Sequence, residues 1–374
     1  VRPKVEFLRQ KDYKFIKELG QGGTGKAVLL LDEYINEQFV CKKYSPFNES
    51  DKTEYFNNFV DEIKLLHLMY HKNVVRVFNY YLYPESTTGY ILMEFIDGEK
   101  ITDFIKQNPE KLNDIFVQTL EAFKHLEEIK VLHRDLRPEN ILITKNGTVK
   151  VIDFGFGKRI DFDSDFDKSL SLNWRYSPPS EFRDKIYDFK TEVYFVGKMF
   201  EEIIQENNLQ NFTYATALKS MTLFDAKRRT LSFLEVQRDT LEKESESIEF
   251  TSTERNGYKW FADDLIKIIS KLESSCTYRT DIDAILTSLK NIYRDSMLET
   301  HLQDNELLSR TFIAGVHYIV KSPTVEIGNL KRFISLLESV STEKRKIILN
   351  HLWKRFDKLE RYSRAKPNRD DLPF

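Results

Sequence analysis

The sequence predicts an α+β chain of two lobes, one β-rich and one helical, followed by an all-α C-terminal domain. Between residues 13 and 95 the apolar residues fall in short runs, such as 27–31, 39–41 and 90–95, with the length and composition of strands. One helical stretch interrupts them over about residues 53–70, placing Phe56, Phe59, Val60, Ile63, Leu66 and Leu68 mostly three or four apart. From Ile101 onward helical spacing dominates, as in 115–128 and 193–204. Within that region the runs 141–144 and 149–152 flank Asn146 and Gly147, a pair suited to a tight hairpin turn.

Residues 242–256, EKESESIEFTSTERN, are polar and nearly free of apolar periodicity, and read as a linker. Five amphipathic segments follow, roughly 257–273, 281–294, 304–321, 324–340 and 342–362. Asp304 and Thr342 stand where N-caps belong, and Pro323 separates the third segment from the fourth. The expected organisation is an extension over 1–12, a first lobe over 13–95, a second over 96–241, the linker, and a helical accessory domain over 257–374.

Composition narrows the classes. A chain of 374 residues suggests two or three domains at about 150 residues each. It is 41% hydrophobic and 31% charged, and 57 Lys+Arg against 59 Asp+Glu leave a net charge of −2. That balance argues against a dedicated nucleic-acid binder. No apolar run approaches the roughly 18 residues of a membrane span, and residues 1–10 lack a signal-peptide core. Cys41 and Cys276 cannot build a disulfide framework and lie in no metal-ligand spacing. The expectation is a soluble, cytoplasmic protein without a transmembrane segment.

Gly20, Gly22 and Gly25, in the run GQGGTG, let backbone amides approach phosphates closely. Read through Lys26 the run also spells a P-loop. Ala27 stands where that motif needs a hydroxyl for magnesium, and an extended segment follows where a helix is required. A Rossmann turn fails for the same lack of a helix. Further on, Lys42 ends an apolar strand. His133, Arg134 and Asp135 open HRDLRPEN, which closes at Asn140, and Asp153, Phe154 and Gly155 follow the hairpin.

Taken in order, these motifs resemble the eukaryotic-type (Hanks-type) protein kinases, more the serine/threonine branch than the tyrosine one, over residues 13–241. Glu62, the segment from Met93 to Phe95 at the hinge position, and YSPPSE ending at Glu181 extend the match. The resemblance implies a two-lobed kinase fold that uses ATP and Mg2+ to move a γ-phosphoryl group to protein hydroxyls, its own included. Lys42 would meet the α and β phosphates, with Glu62 pairing its ammonium. Strand alternation puts Lys42 on the face of Val40 and sends Lys43 to the other. Gly20, Gly22, Gly25, Val28, Val40, Met93, Glu94, Ile96 and Leu142 would surround the nucleotide. Asn140 and Asp153 supply hard oxygens for the metal, Asp135 serves the acceptor hydroxyl, and Arg137 completes the catalytic set. Glu181 pairs structurally with Arg229 or Arg228.

Several departures qualify the resemblance. Arg137 replaces the lysine usual in serine/threonine members, although Pro138 and Glu139 keep their pattern, and Asn173 stands three residues before Tyr176, where those members commonly carry a threonine. Glu192 replaces the aspartate that begins the central helix, and Tyr194 its tryptophan. Arg134 would answer a phosphate on the activation segment, where Ser164, Ser169 and Ser171 are candidates, or the acidic residues Asp161, Asp163, Asp165 and Asp167. The short interval from Asn207 to Tyr214 leaves little room for the family's substrate-docking helix. The accessory domain is accordingly expected to contact a protein substrate or a partner protein. A small-molecule kinase would carry Gly in place of Arg134 and a second carboxylate motif, both absent. A pseudokinase scaffold is the other alternative, against which the complete set Lys42, Glu62, Asp135, Asn140 and Asp153 speaks.

Overall fold

The computed structural model describes residues 12–21, 25–44, 52–155, 157–159, 175–245 and 248–363. The chain forms two compact units, Val1–Thr240 and Leu241–Phe374.

The first unit opens with strands β1 (Lys14–Gln21), β2 (Gly25–Asp32) and β3 (Glu37–Tyr44), then helix α1 (Lys52–Leu66), β4 (Val77–Tyr83) and β5 (Thr88–Glu94). These strands form one antiparallel sheet in the order β1-β2-β3-β5-β4. Helix α1 buries Phe56, Phe59, Ile63 and Leu66, one stripe at helical spacing. It ends at Leu66, short of the expected residue 70. There the backbone tightens to three-residue hydrogen bonds, Leu68 N to Leu65 O and Met69 N to Leu66 O, which turns Met69 into the core and leaves Leu68 45% exposed.

The helical lobe contains α2 (Ile101–Gln107), α3 (Leu112–Glu128), α4 (Phe189–Glu206), α5 (Ala215–Met221) and α6 (Phe233–Ser245). Ile115, Phe116, Leu120 and Phe123 on α3 and Val193, Val196, Met199 and Phe200 on α4 are sealed into a common core. Short strands carry the loops that matter for chemistry. β6 (Gly98–Lys100), β8 (Ile141–Thr144) and β9 (Val149–Val151) form a three-stranded sheet, while β7 (Val131–Leu132) pairs with β10 (Lys158–Arg159). Gly147 N donates to Thr144 O at 2.8 Å, closing the β8–β9 hairpin.

The second unit is mostly helical, with α7 (Ser252–Ile268), α8 (Ile282–Ser296), α9 (Asn305–Phe312), α10 (Ile327–Ser339) and α11 (Thr342–Phe356) around its own core. The expectation of an all-α domain needs correction. Strands β11 (Ile269–Glu273), β12 (Thr277–Tyr278), β13 (Ile313–Ala314), β14 (His317–Ile319) and β15 (Glu360–Tyr362) form two small sheets, ordered β14-β11-β15 and β12-β13. β-branched residues fill the changeovers from helix to strand, Ile268 with Ile269 and Ile313 after Phe312. Gly315, at φ +108°, supplies the left-handed turn between β13 and β14.

Two boundaries also differ. Helix α7 starts inside the stretch read as linker, because Thr251 and Glu254 form a reciprocal capping box there. The cap of α11 is Ser341, whose hydroxyl accepts from Lys344 N, with Thr342 as the first helical residue. Asp304 does cap α9, accepting from Glu306 N and Leu307 N. Among the described residues no helix is long and apolar enough to cross a membrane.

Candidate active site

Lys42 on β3 and Glu62 on α1 meet at 2.7 Å, with side chains only 13% and 3% exposed. A second carboxylate, Asp153 just beyond β9, lies 3.1 Å from the same ammonium. Lys43, one residue on, is exposed and lies 5.8 Å from the centre of the Tyr90 ring, the alternation expected of a strand. Burial costs the Lys42 ammonium hydration, but Glu62 and Asp153 more than offset this and hold its pKa above the ordinary lysine value. The Lys42 charge holds the Asp153 carboxyl below its usual range, despite burial.

The loop between β7 and β8 supplies the second half of the site. His133 is buried, accepts from Asp135 N through Nδ1 at 3.3 Å, and faces Ile152 O through Nε2 at 3.0 Å. These partners specify a neutral imidazole protonated at Nε2, and burial lowers its pKa. It is a structural support for the loop. Asn140 donates through Nδ2 to both Asp135 O (2.9 Å) and Asp135 Oδ2 (2.8 Å). Arg137 Nη2 stands 3.3 Å from the same carboxylate oxygen. Asp135 is thereby fixed by one neighbour on the amide side and one on the guanidinium side.

Two residues here hold left-handed backbone without being glycine, Arg134 at φ +68° and Asp153 at φ +61°. Such conformations persist where surrounding bonds over-determine them. Arg134 N donates to Glu192 Oε1 at 2.8 Å, and its guanidinium carbon lies 5.5 Å from the centre of the Tyr187 ring. Asp153 Oδ1 accepts from Lys42 and, at 3.4 Å, from Gly155 N. Glu192 lies in the first turn of α4, whose cap is Asp188, so it does not itself begin the helix. Its longer carboxyl still reaches the loop. Burial pushes that carboxyl up to about 8.

Around the cleft, Val28, Val40, Met93 and Leu142 are half-buried. Gly20 pairs with Ala27 in the β1–β2 ladder, and a Cβ on Gly25 would stand 2.6 Å from Lys43 O. Gly22 lies outside the described residues, as do Ser164, Ser169 and Ser171, the acidic residues Asp161, Asp163, Asp165 and Asp167, and Asn173. Ile96 has its side chain in the hydrophobic core, and the Glu94 carboxylate is taken by Lys150 at 2.7 Å. Main-chain groups are therefore what Glu94 and Ile96 have to offer a ligand. Glu181 and Arg229 form a buried pair at 2.6 Å. The Glu192 contact, the Glu94–Lys150 pair and a cluster of Glu139, Arg175 and Glu202 were not singled out from sequence, since each joins segments distant along the chain.

Residues 13–287 match the protein kinase domain. The chain belongs to the protein kinase family. Among its relatives is the serine/threonine-protein kinase CLA4 of Candida albicans, 26% identical over 198 residues, covering 52% of this chain and 20% of that protein. The serine/threonine-protein kinase PAK 5 of Rattus norvegicus is 28% identical over 193 residues, covering 51% and 26%. The probable serine/threonine-protein kinase MRK1 homolog of Encephalitozoon cuniculi is 27% identical over 209 residues, covering 54% and 63%. The aligned stretch thus spans less than two thirds of each of these relatives. The family implies ATP as substrate together with a divalent cation.

Proposed function

We propose that the chain is an ATP-dependent protein kinase that phosphorylates serine and threonine hydroxyls. The observation that carries this reading is a Lys42 held by Glu62 and Asp153 and an Asp135 fixed by Asn140 and Arg137, the two groups joined where Ile152 N, next to Asp153, donates to Asn140 O at 2.9 Å. Phosphoryl transfer asks the protein for in-line positioning and charge neutralisation and little covalent work. Lys42 binds the α and β phosphates as a point charge. Asp135 orients the acceptor hydroxyl and accepts its proton, and Arg137 stabilises charge beside it. Val28, Val40, Met93 and Leu142 hold the adenine.

Asp153 and Asn140 fit a hard divalent cation. Asn140 commits its amide nitrogen to Asp135, leaving its carbonyl oxygen as a donor to metal, and Lys42 keeps Asp153 ionised. A Mg2+ ion held by Asn140 and Asp153 would supply charge neutralisation at the phosphate oxygens. The serine/threonine preference is supported by the names of the relatives. A cytoplasmic setting is supported by the free thiols Cys41 and Cys276. A partner protein on the C-terminal unit is supported by exposed apolar side chains at Met297, Leu298 and Leu307. The basic residues of α11 and beyond offer less, because Lys344, Arg355 and Arg361 are committed to Glu254, Asp263 and Tyr278.

The test is transfer from γ-labelled ATP with Mg2+ to the chain itself and to a generic protein, with mass-spectrometric mapping. Asp135→Asn should retain nucleotide binding while the rate falls about 10²- to 10⁴-fold. Full turnover in that variant, or no transfer by a native chain that still binds ATP, overturns the proposal.

A further inference from the structure

Two carboxylates from different elements converge on a single guanidinium beside the catalytic loop. Arg175 Nε lies 2.9 Å from both oxygens of Glu202 on α4, and Nη2 lies 2.7 Å from Oε1. Its remaining nitrogen, Nη1, is 3.6 Å from Glu139 Oε1. The Tyr176 hydroxyl donates to Glu202 Oε2 at 2.7 Å and fixes that carboxylate from the side. One guanidinium against two carboxylates leaves a net negative charge.

The position of Glu139 gives this cluster its meaning. It lies in the tight turn Pro138–Asn140, between Arg137 and Asn140, both of which contact Asp135. Asn140 is buried and turned toward Asp135, whereas the Glu139 side chain is 44% exposed. Adjacent Cα atoms are about 3.8 Å apart, so Glu139 stands on the order of 10 Å or less from the carboxylate that receives the acceptor hydroxyl. A peptide laid across Asp135 advances about 3.3–3.6 Å per residue. A side chain two or three positions from the acceptor therefore comes within reach of Glu139 and Glu202. Paired carboxylates are the natural counterpart of arginine's planar fork, which satisfies them through charge-assisted, bidentate bonds.

We propose that Arg175 is a specificity-determining residue: it fills the Glu139/Glu202 pair from within the chain, so acceptors are taken without need of a basic residue near the hydroxyl. Removing it opens the pair as an arginine-reading site. This rests on the chain being a protein kinase. A purely structural Arg175 would affect stability and overall rate, and would leave the choice among acceptors unchanged.

The experiment compares serine peptides that differ only in Arg or Ala at each position within five residues of the acceptor. The full chain and Arg175→Met, which keeps the aliphatic stem and drops the charge, are assayed for kcat/KM. The native Arg/Ala ratio should lie near one at every position. In Arg175→Met it should rise at least tenfold at one or two positions, and adding Glu139→Gln should cancel the rise. Arg175→Lys keeps the charge while losing the fork, and should raise the ratio about threefold; it decides the matter if the methionine variant does not fold. An unchanged ratio in either folded, active variant overturns the inference, as does a native chain that already prefers Arg tenfold. Absence of transfer to every peptide by the native chain would count against the kinase reading itself.

Discussion

Glu192 accepts the Arg134 amide at 2.8 Å from a position sealed from solvent, and so anchors the left-handed arginine that precedes Asp135. The Tyr187 hydroxyl donates to the same oxygen at 3.3 Å. Glu192 thereby ties helix α4 to the loop that carries Asp135.

That carboxyl makes the kinase unit's stability fall with rising pH. Burial raises its pKa from 4.5 to about 8, so the folded state holds a proton that the unfolded state releases. The contribution is full below pH 4.5 and is lost as pH climbs through about 8. Glu192→Gln keeps an oxygen for Arg134 N and removes the titration. Urea unfolding between pH 4 and 9 should show native stability dropping relative to the variant by about 3–5 kcal/mol across that window. Parallel curves would contradict this.

Arg229 commits all five of its N–H donors. It gives Nη1 to Glu181 Oε1 and Lys190 O, Nη2 to Glu181 Oε2 and Phe224 O, and Nε to Leu223 O. Arg229→Ala should cost about 3–5 kcal/mol, since the Glu181 charge would remain buried with the Thr191 and Ser180 hydroxyls but without a countercharge. Burial works to raise the Glu181 pKa, yet the Arg229 bonds win and lower it. This contribution is present above about pH 4.5 and disappears in more acid solution. Denaturation of the native chain at pH 7 and pH 3, beside the variant, measures both effects.

Much of this site was legible from sequence because local pattern encodes it. Alternation on β3 separated Lys42 from Lys43, and the spacing of Asp135, Asn140 and Asp153 fell within one loop and one hairpin. The cluster of Arg175, Glu139 and Glu202 was not, since three remote segments share it and none has a local signature. In the C-terminal unit, Ile269 and Leu272 sit three apart, which fits a helix. The structure places both on β11, where a register irregularity between Ile269 and Lys271 brings them to one side. The start of α7 was concealed by composition, because the T-x-x-E cap lay inside a stretch whose polarity suggested a linker.

Gly25→Ala should destabilise the first sheet by about 1–3 kcal/mol, the usual range for forcing atoms into occupied space. Its new Cβ would meet Lys43 O at 2.6 Å, a backbone atom that can move only by shifting β3 and Lys42 with it. Urea midpoints and a titration of ATP-induced thermal stabilisation should both fall. A variant with native midpoint and native ATP response would show that the strand pair yields freely.

Thr251→Ala removes one half of the capping box on α7 and should lower the stability of the second unit by about 0.5–2 kcal/mol. Glu254 also holds Lys344 of α11 through two contacts of 2.8 and 3.0 Å, so Glu254→Ala should cost more than the threonine change. Hydrogen exchange of amides in 252–268 reports the two losses separately from the kinase unit.

The parallel pairing of β15 with β11 has a consequence for synthesis. Lys271 lies opposite Glu360, and Ser274 N donates to Tyr362 O, so among the described residues the first strand of the second unit waits for the last. While the ribosome is still making the intervening helices, that edge of β11 has no partner. The sheet closes only after residues 360–362 leave the exit tunnel, whichever helices have already assembled.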